Sequence, residues 1–227
     1  TAGTSTISVG AGTLQAASIA IPGSATGGRN CVVTVSTGTI TTTGSITFSG
    51  TAAQAQFTST GASTANIAGN FGSGGTLTTS STGTINFNGG GAQTIGTYTT
   101  YNNISINNTS GGVTLTGTTT FGGTLTVTTG TLTVGAFTLT VTGATSVSST
   151  LAITSATGTK TFTGNVTVNN GGTWNNSGNE AVSLGGNLQN DGTFTAGSGV
   201  YTFSGTTKTI SGANAVSIPS LTINNSV

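Results

Sequence analysis

Gly164-Asn165-Val166-Thr167-Val168 and, 22 positions later, Gly186-Asn187-Leu188-Gln189-Asn190 are two forms of one phrase. Each leads through a short polar spacer into a second phrase, Gly172-Thr173-Trp174 in one case and Gly192-Thr193-Phe194 in the other. Related wording stands at Gly75-Thr76-Leu77 with Gly83-Thr84-Ile85, and at Gly123-Thr124-Leu125 with Gly130-Thr131-Leu132. Self-similarity at such a period is the mark of an array in which each unit buries its apolar side against the next.

Between the glycines the chain alternates. Thr124-Leu125-Thr126-Val127-Thr128, Thr138-Leu139-Thr140-Val141-Thr142 and Asn103-Ile104-Ser105-Ile106-Asn107 each place apolar residues at every second position. Successive side chains of a strand point to opposite faces, so these segments are short strands with one apolar and one Thr/Asn face. Gly and the Asn pairs, such as Asn107-Asn108, Asn169-Asn170 and Asn224-Asn225, supply the corners. Leu14 to Ala20 is the only weak helix candidate.

Short strands nested in a period of roughly 19–22 residues predict an all-β, three-sided parallel β-solenoid of about ten to eleven coils. An antiparallel β-sandwich is the alternative, because short strands with frequent turns also suit it. Residues 1–30 read as an N-terminal cap or joining segment and residues 31–227 as the repeat array. A longer unit is superimposed. Ile85-Asn86-Phe87-Asn88-Gly89, Gln93-Thr94-Ile95 and Ile104-Ser105-Ile106-Asn107-Asn108 return as Tyr201-Thr202-Phe203-Ser204-Gly205, Lys208-Thr209-Ile210 and Leu221-Thr222-Ile223-Asn224-Asn225. A more divergent start is Ile46-Thr47-Phe48-Ser49-Gly50. The larger unit is expected to hold several of the smaller ones.

Composition limits the chemistry. Of 227 residues 56 are Thr and 39 Gly, and the only formal charges are Arg29, Lys160, Lys208, Glu180 and Asp191. There is no His and no Met, and Cys31 is the only Cys. General acid–base and nucleophilic catalysis draw on the groups that are missing, so no catalytic, cofactor-binding or metal-binding residues are expected and the chain is read as a non-enzyme. Glu180 and Asp191 lie on successive small repeats but read as two solvated loop acids rather than a glycosidase pair. Three cations make no phosphate-binding footprint, which argues against nucleic acid. No apolar run approaches the roughly 18 residues of a membrane helix, so no membrane insertion is expected. Cys31 reads as a small buried hydrophobe.

The aromatic residues Trp174, Tyr98, Tyr101 and Tyr201 could form a sugar platform, yet the equivalent places of Trp174 and Phe194 in the repeat favour an internal stack. The Thr-x-Thr segments raise an ice-binding reading, which needs Thr pairs at one coil position, on one face, over many coils; by sequence they fall on apparently all sides and coil lengths vary.

The phrases Thr202-Phe203-Ser204-Gly205, Leu221-Thr222-Ile223-Asn224-Asn225 and Gly123-Thr124-Leu125-Thr126-Val127 resemble repeats of large bacterial surface proteins, the adhesin-like and autotransporter-passenger-like β-solenoids. The resemblance spans nearly the whole chain after Cys31. It implies secretion, an extracellular or cell-surface location, and structural or adhesive work. It carries no catalytic residues.

The leading functional expectation is an extracellular structural subunit that associates with itself head to tail as a filament or surface fibre. No cap is visible around Leu221–Val227, and an uncapped coil is a template for strand addition. The subunit-joining residues are expected to be Thr6, Ile7 and Val9 at one end and Leu221, Ile223 and Val227 at the other. The alternatives are an adhesive module of a longer bacterial surface protein, with a surface or glycan ligand, and an ice-binding protein.

Overall fold

The computed structural model describes residues 3–24 and 28–224. Every paired strand runs parallel to its neighbours, and the strands wind into a solenoid of about nine turns with ~21 residues per coil. The antiparallel alternative is excluded by this pairing. In each coil the chain climbs a first wall, turns a corner to a second, and turns again to a third. In the first coil these are Thr4–Val9, Thr13–Ala16 and Ile19–Pro22. The segment 1–30 thus supplies, in its described residues, three strands of the array. Leu14 to Ala20 falls on the second and third of them and on the bend at Ala17-Ser18 between, with no helical turn.

The second wall is one unbroken sheet of ten strands. The third narrows to a single residue, Phe71, which bridges to Ile46 on one side and Ile95 on the other. The first narrows at Tyr101, which bridges to Phe121, while Thr100 Oγ1 donates to the Leu77 carbonyl below. Aromatic rings fill the interior where these strands shrink. Phe71 meets Phe48 at 5.5 Å, Phe57 at 5.7 Å and Tyr101 at 5.9 Å, all edge-on. Such pairs add about 0.5–1.5 kcal/mol each beyond burial.

The small repeat is structural. Val166 lies directly against Leu188, and Trp174 against Phe194. Each residue of the Gly-Asn-Val phrase has its own task. A Cβ on Gly164 would stand 2.4 Å from the Gly143 carbonyl oxygen, and one on Gly186 just as close to that of Gly164, so the coils meet at this corner only because side chains are absent. The Asn165 side-chain oxygen accepts the Asn187 N–H of the next coil (2.9 Å). Asn187 does the same for Thr209 (3.1 Å). The third residue points inward.

Two expectations need correction. The number of turns is lower than about ten to eleven because the early coils are long. Along the second wall, Thr13 pairs with Thr39 and Thr39 with Thr64, offsets of 26 and 25 residues. Thr64 then pairs with Thr84 and Thr84 with Asn103, offsets of 20 and 19. Surplus residues sit in the corners, including a 3-10 turn at Ala52–Gln54. The longer sequence unit also fails to hold a whole number of coils. Its start lies on the second wall at Ile85 and on the first at Tyr201, and the divergent copy at Ile46 lies on the third. The phrase encodes strand and corner, not which wall.

Candidate functional site

Inward slots are sealed throughout the middle coils. Leu139, Leu151, Phe162, Trp174 and Tyr201 are each fully buried. Burial fails at the ends. Ile7 occupies the inward slot continued by Val33 and Phe57, yet is 56% exposed. At the other end Leu221 and Ile223 continue the slots of Tyr201 and Phe203, and are 50% and 78% exposed. Ile210, which continues Leu188 on the second wall, is 48% exposed. Thr6 is exposed and points outward between these slots, and Val9 is partly buried against the core. Of the anticipated joining residues, Val227 lies outside the described ones. Ile210 was missed, although its place in the Lys208-Thr209-Ile210 phrase marked it as inward.

No family model, curated protein or solved structure matches this chain. Its chemistry therefore rests on its own residues.

Neutral polar groups such as Gln93, Asn108 and Asn190 are buried along the array, but the buried charges meet in one corner of the late coils. Lys160 takes an inward slot of the first wall, between Leu139 and Val182, and its side chain is fully enclosed. Its ammonium donates to the carbonyls of Thr157 (3.0 Å) and Gly158 and stands 3.7 Å from Glu180 Oε2. That separation is an ion pair without a hydrogen bond. Glu180 is only 7% exposed. Its Oε1 accepts the Ala181 N–H (3.0 Å), and Oε2 has no hydrogen-bond partner among the described residues. The expectation of a solvated Glu180 is therefore wrong. The turn from the third wall into the first folds its carboxylate inward onto Lys160. A signal was available, since Lys160-Thr161-Phe162 puts Lys in the same phase as a core Phe.

Asn176 locks this turn. Its amide nitrogen donates to the Glu180 carbonyl (2.8 Å), and its oxygen accepts the Glu180 N–H (3.0 Å). The same nitrogen donates to Tyr201 Oη (3.2 Å), which also accepts the Trp174 indole N–H (2.9 Å). Trp174 stacks on Phe194 at 5.6 Å and meets Phe162 edge-on at 5.0 Å. With Trp174, Tyr101 and Tyr201 buried, the sugar platform is lost as an exposed surface; Tyr98 is partly buried, and its Oη accepts the Gly75 N–H (3.2 Å).

Asp191 sits at a different corner, between the second and third walls, so the two acids do not face one another across a site. Its carboxylate accepts the Ala213 N–H (2.7 Å) and the Gln189 amide (2.6 Å), which hold its pKa below the usual value. Cys31 stands in the inward phase between Ser5 and Ala55, partly buried, close to its expected role.

Burial raises the phenol pKa values of Tyr98, Tyr101 and Tyr201 above 10.0, with Tyr101 raised most. The folded chain then keeps protons that the unfolded chain releases. This contribution is complete below pH 10.0 and is lost as pH rises through the folded values. Lys160 runs the opposite way, since burial lowers its pKa from 10.5 against the pull of Glu180, and its contribution grows with pH. Tyr101→Phe removes the phenol raised most, so between about pH 9 and about pH 11.5 the urea midpoint of that variant is expected to fall less, relative to the unmodified chain.

Proposed function

We propose that this is a non-catalytic structural protein of the extracellular space or cell surface, whose copies stack end to end into a filament. The observation that carries the reading is the exposure of Ile7 at one end and of Ile210, Leu221 and Ile223 at the other, all in slots that every middle coil keeps covered. A second copy is the occupant that fits. Its Thr4–Val9 strand runs parallel to Ser220–Asn224, carries the same inward alternation, and would pair with it as Val200–Ser204 does within the chain. Joints of one kind repeated without ring closure make fibres. The near absence of charge supports association over mutual repulsion. The resemblance to bacterial surface β-solenoids supports the location.

Electron microscopy and sedimentation velocity over a concentration series test this. Rods that lengthen with concentration are expected. Ile223→Asp, at a site already exposed in the single chain, is expected to raise the concentration of half-assembly by at least about tenfold. A chain that sediments as a single short rod at every concentration would leave the adhesive module as the better reading.

A further inference from the structure

The three walls differ in what they offer to the outside. On the first wall, in the later coils, the central outward residue is Thr120, Thr140, Thr161, Ser183, Thr202 and then Thr222, in direct register on six consecutive strands without a shift. Around its first three members the flanking positions are also Thr: Thr118, Thr138 and Thr159 on one side, Thr142 and Thr163 on the other. This block is a grid of hydroxyl and methyl groups. Its spacing is about 4.8 Å from strand to strand and about 6.6 Å between alternate residues along a strand. β-Branching restricts each side chain to few rotamers, so the grid is stiff.

The hydroxyls of Thr120, Thr140, Thr142, Thr161 and Thr163 make no hydrogen bond within the described protein, and Thr138 and Thr159 touch only each other, at 3.5 Å. Unbonded threonine hydroxyls stand on the other walls too, as in the column Thr131, Thr150, Thr173 and Thr193 of the third, but the neighbouring column there is broken by Ala152 and Asn175. On the second wall Asn103, Asn165 and Asn187 each accept a backbone N–H of the next coil, and the register shifts between Ile106 and Asn107. What sets the first-wall block apart is breadth, with threonine columns side by side. The ice-binding reading needed one face, one coil position and many coils; the block meets the first two over three strands, and only its central column runs on to six, with Ser183 in place of one Thr.

We propose that the threonine block from Thr118 to Thr163 binds the surface of an ice crystal. A stiff, uncharged grid with free hydroxyls can hold one layer of water in a repeating arrangement, with spacings near those of water on the faces of hexagonal ice. Methyl groups between the hydroxyls keep that layer from exchanging freely with bulk water. A polysaccharide is the weaker fit, because no aromatic ring stands among the outward residues of the block to stack on sugar, and the charge of Lys160 lies buried beneath it.

The test is ice-affinity partition together with thermal hysteresis and crystal shape, run on the whole chain and on the Ile223→Asp variant, so that end-to-end assembly is separated from ice binding. Enrichment in the ice fraction and faceted crystals are expected for both. Thr140→Lys with Thr161→Lys is expected to abolish enrichment, while Thr167→Lys on the second wall leaves it unchanged; circular dichroism confirms that each variant keeps its β signal. Exclusion of the unmodified chain from ice, or equal loss in Thr167→Lys, overturns the proposal.

Discussion

Glu180→Ala is expected to cost about 3–5 kcal/mol of unfolding free energy, the range found when one partner of a buried ion pair is removed. The Lys160 ammonium would remain enclosed, held only by the carbonyls of Thr157 and Gly158. Replacing both partners with apolar groups of similar size, Lys160→Met with Glu180→Leu, is expected to recover most of the loss, because the charge that needed compensation is gone. Hydrogen exchange supplies a local readout. Protection should fall first in Lys160–Phe162 and Val182–Leu184, the strands joined through this corner. Equal unfolding midpoints for the single and double variants would show that the pair is not coupled in this way.

Trp174→Ala is expected to cost a similar ~3–5 kcal/mol, by cavity formation. The indole is fully buried between Phe162 and Phe194. Trp174→Phe keeps a ring in the stack but removes the N–H donated to Tyr201, and should cost closer to about 1 kcal/mol, plus the smaller gap it leaves. Urea unfolding of the two variants separates ring packing from the hydrogen bond. If they lose the same amount, the stack contributes little.

Where neighbouring coils repeat a phrase, the fold could be read from it. Gly164-Asn165-Val166 holds the requirements of a corner and an inward slot in three residues, and the equivalent places of Trp174 and Phe194 in the repeat imply their stacking. The apolar residues of the end coils were legible for the same reason, since alternation continues unchanged from Tyr201-Thr202-Phe203 to Leu221-Thr222-Ile223. What escaped were contacts set by corners. The Lys160–Glu180 pair joins residues twenty positions apart through a turn whose path no alternation encodes. Phe71, bridged to Ile46 and Ile95, and Tyr101, bridged to Phe121, each hold a wall through one residue, too short to register as a strand pattern. The long early corners hid the true coil count. The side-by-side threonine columns depend on which wall each strand joins, and that information is spread over all preceding corners.

The mismatch between the longer sequence unit and the coil has a bearing on growth by gene duplication. Ile85 and Tyr201 are 116 residues apart and lie on different walls. A chain lengthened by copying that segment would advance its surface pattern by one wall with each copy. Features written once on a single flank would wind around the rod as a spiral stripe, coming back to their original bearing only after three copies.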